Sequence, residues 1–212
     1  MTSQLAQRLG QRFARVTTNA VVRLPALWRL FRGPMRLQFD RLAPVWNSMR
    51  RPDSLASFER ALDEIEAPPR RALDIGTGTG AAAFEIARRW PDAEVIGVDL
   101  SQAMLAEAAA TTPPELSSRL RFEWADASRL PYQDGSFDLL ALANMIPFFD
   151  ELDRVSAPGA RVIFSFSGGA ETPIWVPPER LRDELSRRGF SDFADFQIGR
   201  GTSLLARKRE QG

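Results

Sequence analysis

Three aspartates and a run of glycines are spaced as parts of a ligand site. Asp74 stands two residues before Gly76-Thr77-Gly78-Thr79-Gly80-Ala81, Asp99 follows the next apolar segment, and Asp126 follows the one after. Glycine tolerates positive φ, and without a Cβ it lets a ligand lie against the backbone. A carboxylate at a strand tip roughly 20 residues after a glycine turn is placed to accept hydrogen bonds from a ribose diol. The pattern points to an adenosine-containing cofactor.

These residues need elements to hold them. Residues 71–75 read as a short apolar strand, and the alanine-rich stretch 81–90 reads as a helix with one apolar face. Strand, glycine turn and helix form the first half of a nucleotide-binding βαβ unit. Residues 93–98 form the second strand, which ends at Asp99. Ser101 is a suitable N-cap for a helix over 102–110. Residues 120–125 alternate as a third strand ending at Asp126. The continuous apolar run 139–143 suits a strand covered on both faces. Residues 161–167 form a fifth strand, 179–188 a charged helix ended by Gly189, and 190–198 with 202–206 a closing antiparallel pair.

The glycine run alone leaves the cofactor open. It fits the dinucleotide pattern G-x-G-x-x-(G/A), and it fits the tighter G-x-G-x-G turn of S-adenosylmethionine enzymes. Asp74 favours the second, because a carboxylate there repels a pyrophosphate but suits an ammonium and a sulfonium. The competing reading of Asp74 is a local cap or salt-bridge partner.

The segment 71–80 resembles motif I of the class I S-adenosylmethionine-dependent methyltransferases, and Val95-Ile96-Gly97-Val98-Asp99-Leu100-Ser101 resembles their motif II. Trp124-Ala125-Asp126-Ala127-Ser128-Arg129-Leu130-Pro131 resembles motif III. Residues 132–138 resemble the family's turn into strand four, and Ser156-Ala157-Pro158-Gly159-Ala160 its proline-glycine turn. The resemblance implies an α/β, doubly wound, mostly parallel seven-stranded sheet of order 3-2-1-4-5-7-6, with helices on both faces. It implies S-adenosylmethionine held by Asp74, Gly76, Thr77, Gly78, Gly80, Asp99, Leu100, Asp126, Ala127 and Asn144. Leu100 would lie beside the adenine, and Asp126 would accept from the adenine amino group. Asn144-Met145-Ile146-Pro147-Phe148-Phe149 occupies the motif IV position, where the acceptor meets the methyl group. It is not the Asn/Asp-Pro-Pro-aromatic tetrapeptide of amino-methylating nucleic-acid enzymes, and the stretch after it is short, so the helix after strand four is expected to be truncated.

Leu37-Gln38-Phe39-Asp40-Arg41-Leu42-Ala43-Pro44-Val45-Trp46 resembles the segment that precedes the core in small-molecule methyltransferases of the quinone C-methyltransferase type. Phe39 and Trp46 would then wall the site together with Met145, Ile146, Phe148, Phe149 and Trp175. Plain packing of an aromatic helix face is the competing reading of Phe39 and Trp46. Apolar and aromatic walls suit a small lipophilic or aromatic acceptor. The resemblance covers residues 39–208.

Composition narrows the chemistry. The 212 residues contain no cysteine and no histidine. Thiolate nucleophiles, cysteine-ligated metals and histidine bases are therefore excluded, and no metal site is expected from the spacing of the carboxylates. Only carboxylates and the single tyrosine, Tyr132, remain as bases, so no catalytic residue is assigned. Either the acceptor ionises easily or a carboxylate serves. A nicotinamide-linked oxidoreductase and a non-catalytic domain that binds the methyl donor are the alternative functions.

The first 39 residues hold seven arginines and no acid. Three organisational parts are expected: a basic amphipathic arm over 1–36, a helical lid over 37–69 and the cofactor domain over 70–209. In the arm, Leu5, Leu9, Phe13, Val16 and Ala20 recur at helical spacing. Pro25 should break the helix, and Gly33-Pro34 is a plausible hinge. A further helix is expected over 53–66. The arm reads as a lid with solvated arginines or as an anchor on an acidic membrane surface. Nucleic acid is the third and least supported reading, since arginines alone supply only its non-specific part. No secretory signal and no run of the ~18 apolar residues a span needs is present, so the protein is expected to be cytoplasmic, with peripheral membrane contact as an option. Oligomeric state is not specified.

Overall fold

The computed structural model describes residues 2–210, with side chains from residue 11 onward. Helix α1 (Thr2–Arg23) is followed by a 3-10 turn at Pro25–Leu27, helix α2 (Trp28–Met49) and helix α3 (Ala56–Asp63). Then come β1 (Arg71–Ile75), α4 (Ala81–Arg89), β2 (Glu94–Asp99), α5 (Gln102–Ala110), β3 (Leu120–Trp124) and β4 (Phe137–Ala143). The chain ends with α6 (Phe149–Val155), β5 (Ser156–Phe166), α7 (Pro178–Ser186), β6 (Phe190–Ile198) and β7 (Gly201–Lys208).

The sheet order is β3-β2-β1-β4-β5-β7-β6. β1 pairs in parallel with β2 and β4, β2 with β3, and β4 with β5. β7 runs antiparallel to both neighbours. This is the doubly wound sheet implied by the motif resemblance. Side chains alternate between two cores, as the pleat requires. Leu73, Ile75, Ile96, Val98, Leu140 and Phe164 face one core, shared with α6, α7, α1 and α2. Ala72, Val95, Leu139, Ala141 and Ile163 face the other, packed against α3 and α4.

Several boundaries differ from expectation. The break at Pro25 forms, but Gly33-Pro34 is not a hinge: α2 runs through both Pro34 and Pro44. A proline inside a helix removes a hydrogen bond. Burial of Trp28, Met35 and Ala43 along the length of α2 keeps it whole. The expected division between residues 36 and 37 therefore falls inside one helix. The expected helix over 53–66 contracts to α3. β5 begins at Ser156, upstream of expectation, because Ala157 to Ala160 bulge between the pairs Phe137–Ser156 and Leu139–Arg161. The helix after β4 is short, as expected, with seven residues. The arm positions Leu5, Arg8 and Leu9 lie in α1, but their side chains fall outside the described residues.

Candidate functional site

The carboxyl ends of β1, β2 and β3 lie side by side, and each carries one of the three acids. Gly76 N–H and Thr77 N–H both donate to the Val98 carbonyl, at 2.8 and 2.9 Å, which ties the glycine loop to the end of β2. Gly76 has φ +72, and a Cβ there would lie 2.5 Å from Met145 Sδ, so the position requires glycine on both counts.

Asp74 sits beneath this loop, not in it. It has no exposed surface. Its Oδ2 accepts from Thr77 Oγ1 at 2.6 Å and from the Ala83 amide at 3.1 Å, in the first turn of α4. Its Oδ1 is buried without a partner. Burial pushes the carboxyl up to about 7, against the opposing pull of those two hydrogen bonds and with a small added push from Asp99. These two bonds give Asp74 the geometry of the local-cap reading, with Oδ2 tying the glycine loop to the first turn of α4.

Asp99 is placed as expected. Its Oδ2 accepts from Gly78 N–H at 2.9 Å and its Oδ1 from Ser101 N–H at 2.8 Å. Burial raises its carboxyl above the ordinary range, opposed by the backbone amides of Ser101, Gly78 and Leu100. An acceptor-only carboxylate at the tip of β2 suits the hydroxyls of a ribose. Ser101 caps α5 by accepting from Met104 N–H at 3.1 Å. Leu100 is partly buried, and its carbonyl accepts from the Trp124 indole at 3.0 Å.

Asp126 holds a fuller set of partners. Its Oδ1 accepts from Ser128 N–H at 2.9 Å, Ser128 Oγ at 2.7 Å and Trp28 Nε1 at 2.8 Å. Its Oδ2 lies 3.4 Å from Arg32 Nη1. Burial acts to raise this carboxyl, but the bonds from Ser128, Trp28 and Arg32 outweigh it and hold the group below its usual value. Ala127 is buried beside it.

Helix α2 thus lies across the edge of the sheet and touches all three strand tips. Besides Trp28 and Arg32 at Asp126, Asp40 Oδ1 accepts from Ser101 Oγ at 2.6 Å, and Asn47 Oδ1 accepts from Thr79 Oγ1 at 2.6 Å. Trp46 Nε1 lies 3.7 Å from where a Gly78 Cβ would be. Asp40 belongs to the segment 37–46 that carries the resemblance, whereas Trp28, Arg32 and Asn47 have no such signal in the sequence. Phe39 and Trp46, one on each side of Asp40, are the residues expected to wall the site.

The expected acceptor walls separate into groups. Phe39 and Trp46 pack edge to face at 5.7 Å, and Trp46 and Met145 border the glycine loop at Gly78 and Gly76. Phe148 is buried edge to face against Trp28 at 5.4 Å. Ile146 is buried in the core. Phe149 begins α6, is buried and stacks obliquely on Phe164, with Arg188 over its ring. Trp175 lines a cavity of about 130 Å³ with Asn19, Val22, Arg23 and Arg180, between α1 and the segment before α7. Asn144 has φ +54. Its Oδ1 accepts from Ser167 N–H at 2.9 Å, so it locks β4 to the end of β5 and keeps only its amide nitrogen for a ligand. Tyr132 donates to Glu123 Oε2 at 2.7 Å, and burial followed by this carboxylate raises its hydroxyl far above the usual value. It is therefore a poor base. Among the described residues, no three His, Cys, Asp or Glu side chains cluster as a metal site.

The donor set fits an adenosine cofactor. Asp99 offers two oxygens at the tip of β2, the loop presents glycine backbone, and the Trp28 indole shows that Asp126 accepts an N–H carried by a flat heterocycle. The sheet order and its neighbours in known structures define a Rossmann-like, doubly wound fold with an edge suited to an adenosine cofactor. Residues 72–163 match the family described as a methyltransferase domain. Over 140 residues the chain is 37% identical to a demethylmenaquinone methyltransferase of Thermus thermophilus, covering 59% of this chain and 62% of that protein. A solved 4+2 cyclase superposes over 84% of this chain and 96% of its own, at TM-score 0.68 and 20% identity. A phosphoethanolamine N-methyltransferase of Haemonchus contortus, solved with S-adenosylmethionine, covers 74% of this chain and 52% of its own at TM-score 0.61 and 18% identity. The chain spans only 62%, 56% and 38% of the length of the first three curated relatives it matches. The nicotinamide alternative is not favoured by these matches.

Proposed function

We propose that the protein transfers the methyl group of S-adenosylmethionine to a small apolar or aromatic acceptor. The observation that carries this is the juxtaposition of Asp99 and the glycine loop with the aromatic pair Phe39 and Trp46 and with Met145. The sulfonium supplies an activated methyl carbon and a neutral leaving group. The chain's part is to hold the ribose on Asp99, to align the acceptor against the loop and to exclude water. Such positioning supplies ~7–11 kcal/mol in favourable cases. Asp99 and Asp126 are each engaged by backbone amides, and Tyr132 is engaged by Glu123. This scarcity of free bases supports an acceptor that ionises easily, such as a phenol or quinol ring, and the likeness to a demethylmenaquinone methyltransferase supports the same class.

The outer face of α2 supports contact with an acidic membrane surface, where such acceptors reside. Leu30, Leu37 and Val45 are exposed on the side of the helix opposite the buried Trp28, Met35 and Ala43. Exposed Arg29, Arg36 and Arg41 accompany them. An apolar stripe bordered by cations suits an anionic interface. Among the described residues no helix is long and apolar enough to cross a membrane.

The test is transfer of labelled methyl from S-adenosylmethionine to a panel of demethylated quinols and phenols, in detergent and in vesicles. Labelled quinol or phenol product is expected. Binding of the cofactor with no transfer to any member would sink the acceptor class. Binding of NAD instead of S-adenosylmethionine would sink the whole reading.

A further inference from the structure

The described structure holds its own polar groups on the cofactor edge. Trp28 is 5% exposed, sits at the first position of α2, and directs its indole N–H to Asp126 Oδ1. Arg32, one turn on, approaches the other oxygen. Further along the same helix, Asp40 takes the hydroxyl of Ser101, the residue whose amide supports Asp99. Asn47 takes the hydroxyl of Thr79, and Trp46 lies over Gly78. One helix therefore engages the tips of β3, β2 and β1 in turn.

We propose that α2 is a self-occupying lid in which the Trp28 indole stands in for the cofactor's adenine on Asp126, so that the cofactor must displace Trp28 to bind fully. The inference rests on the adenosine-cofactor reading of this edge. Its physical basis is acceptor capacity. Asp126 Oδ1 already receives two bonds from Ser128 besides the indole, so no lone pair is left there for a second heterocycle N–H. Among the described residues Oδ2 is approached only by Arg32, and the Asp126 side chain is just 12% exposed under α2. A ring approaching it must move the indole or its helix. The bonds of Asp40 and Asn47 to hydroxyls are each replaceable by water, which keeps the lid reversible.

The proposal predicts that a residue in contact with the site lowers affinity, the reverse of what a wall residue would do. Trp28→Phe keeps an aromatic ring against Phe148 but removes the N–H. Titration calorimetry with S-adenosylhomocysteine should show about fivefold tighter binding in this variant, the size of one hydrogen bond. In an Asp126→Ala background the same substitution should leave affinity unchanged. A second measurement needs no altered protein. The indole N–H resonance of Trp28 should move on saturation with S-adenosylhomocysteine as it leaves its carboxylate. Equal or weaker binding by Trp28→Phe, or a stationary Trp28 resonance, overturns the lid. Absence of binding in the wild type and in every variant would instead overturn the cofactor reading on which the lid rests.

Discussion

Replacing Asp74 with asparagine should change stability in a strongly pH-dependent way. The native carboxyl keeps its proton up to about 7, whereas an exposed one ionises near 3.8. Between those values the native state binds the extra proton, so stability falls as pH rises through that window. The displacement of about three pH units corresponds to at most ~4 kcal/mol once the group is ionised. Asp74→Asn removes the titration while its amide oxygen can still accept from Thr77 and Ala83. The variant should be equal to the wild type or ~1 kcal/mol less stable at pH 5. From pH 5 to pH 8.5 it should gain about 2–3 kcal/mol relative to the wild type, since roughly two pH units of the titration lie in that interval. Urea unfolding followed by tryptophan fluorescence at both values measures this. A difference between variant and wild type that is the same at both pH values, within about 0.5 kcal/mol, would refute the buried, proton-holding Asp74. The same variant addresses function. If Asp74 only supports the loop, affinity for S-adenosylhomocysteine should stay within about threefold of wild type. A loss near a hundredfold, about 2.7 kcal/mol, would restore Asp74 as a direct partner of the cofactor's ammonium.

Other consequences are quicker to check. Asp99→Ala removes the acceptor for Gly78 and Ser101 N–H and for the ribose, so calorimetry should register at least a hundredfold loss of S-adenosylhomocysteine affinity. Gly76→Ala meets Met145 and forces a side chain into positive φ. It should cost about 2 kcal/mol or more in thermal or urea unfolding, and Met145→Ala should recover part of that cost in the double variant. Leu30→Glu with Leu37→Glu should abolish sedimentation with anionic vesicles at low salt without altering the fold by circular dichroism. Vesicle binding that survives this pair would remove the outer face of α2 from the membrane reading.

Much of the sheet was legible in the chain because its signals are local. β1, β2, β3 and β6 follow apolar runs and alternation, and Ser101 caps α5 as its type and place required. The glycine loop and Asp99 were legible for the same reason: a strand tip followed by a tight turn leaves few conformations, and short-range geometry places both. The bulge at the start of β5 was not legible, since it depends on the register that β4 imposes.

The partners that the acids meet come from long-range packing. From the chain, Asp74 reads as either a ligand contact or a cap, and the fold supplies Thr77 and Ala83 as the partners of one of its oxygens. Asp126 meets Trp28 across 98 positions of sequence, and Ser101 meets Asp40 across 61. No local propensity encodes such pairs. They follow from one helix with a continuous buried stripe, which overrides two internal prolines and lays its polar groups along the edge of the sheet. Local sequence signals suffice for a nucleotide-type edge with acids at its tips. Packing determined that α2 covers that edge, because only the assembled sheet offers a surface on which Trp28, Met35 and Ala43 can be buried together.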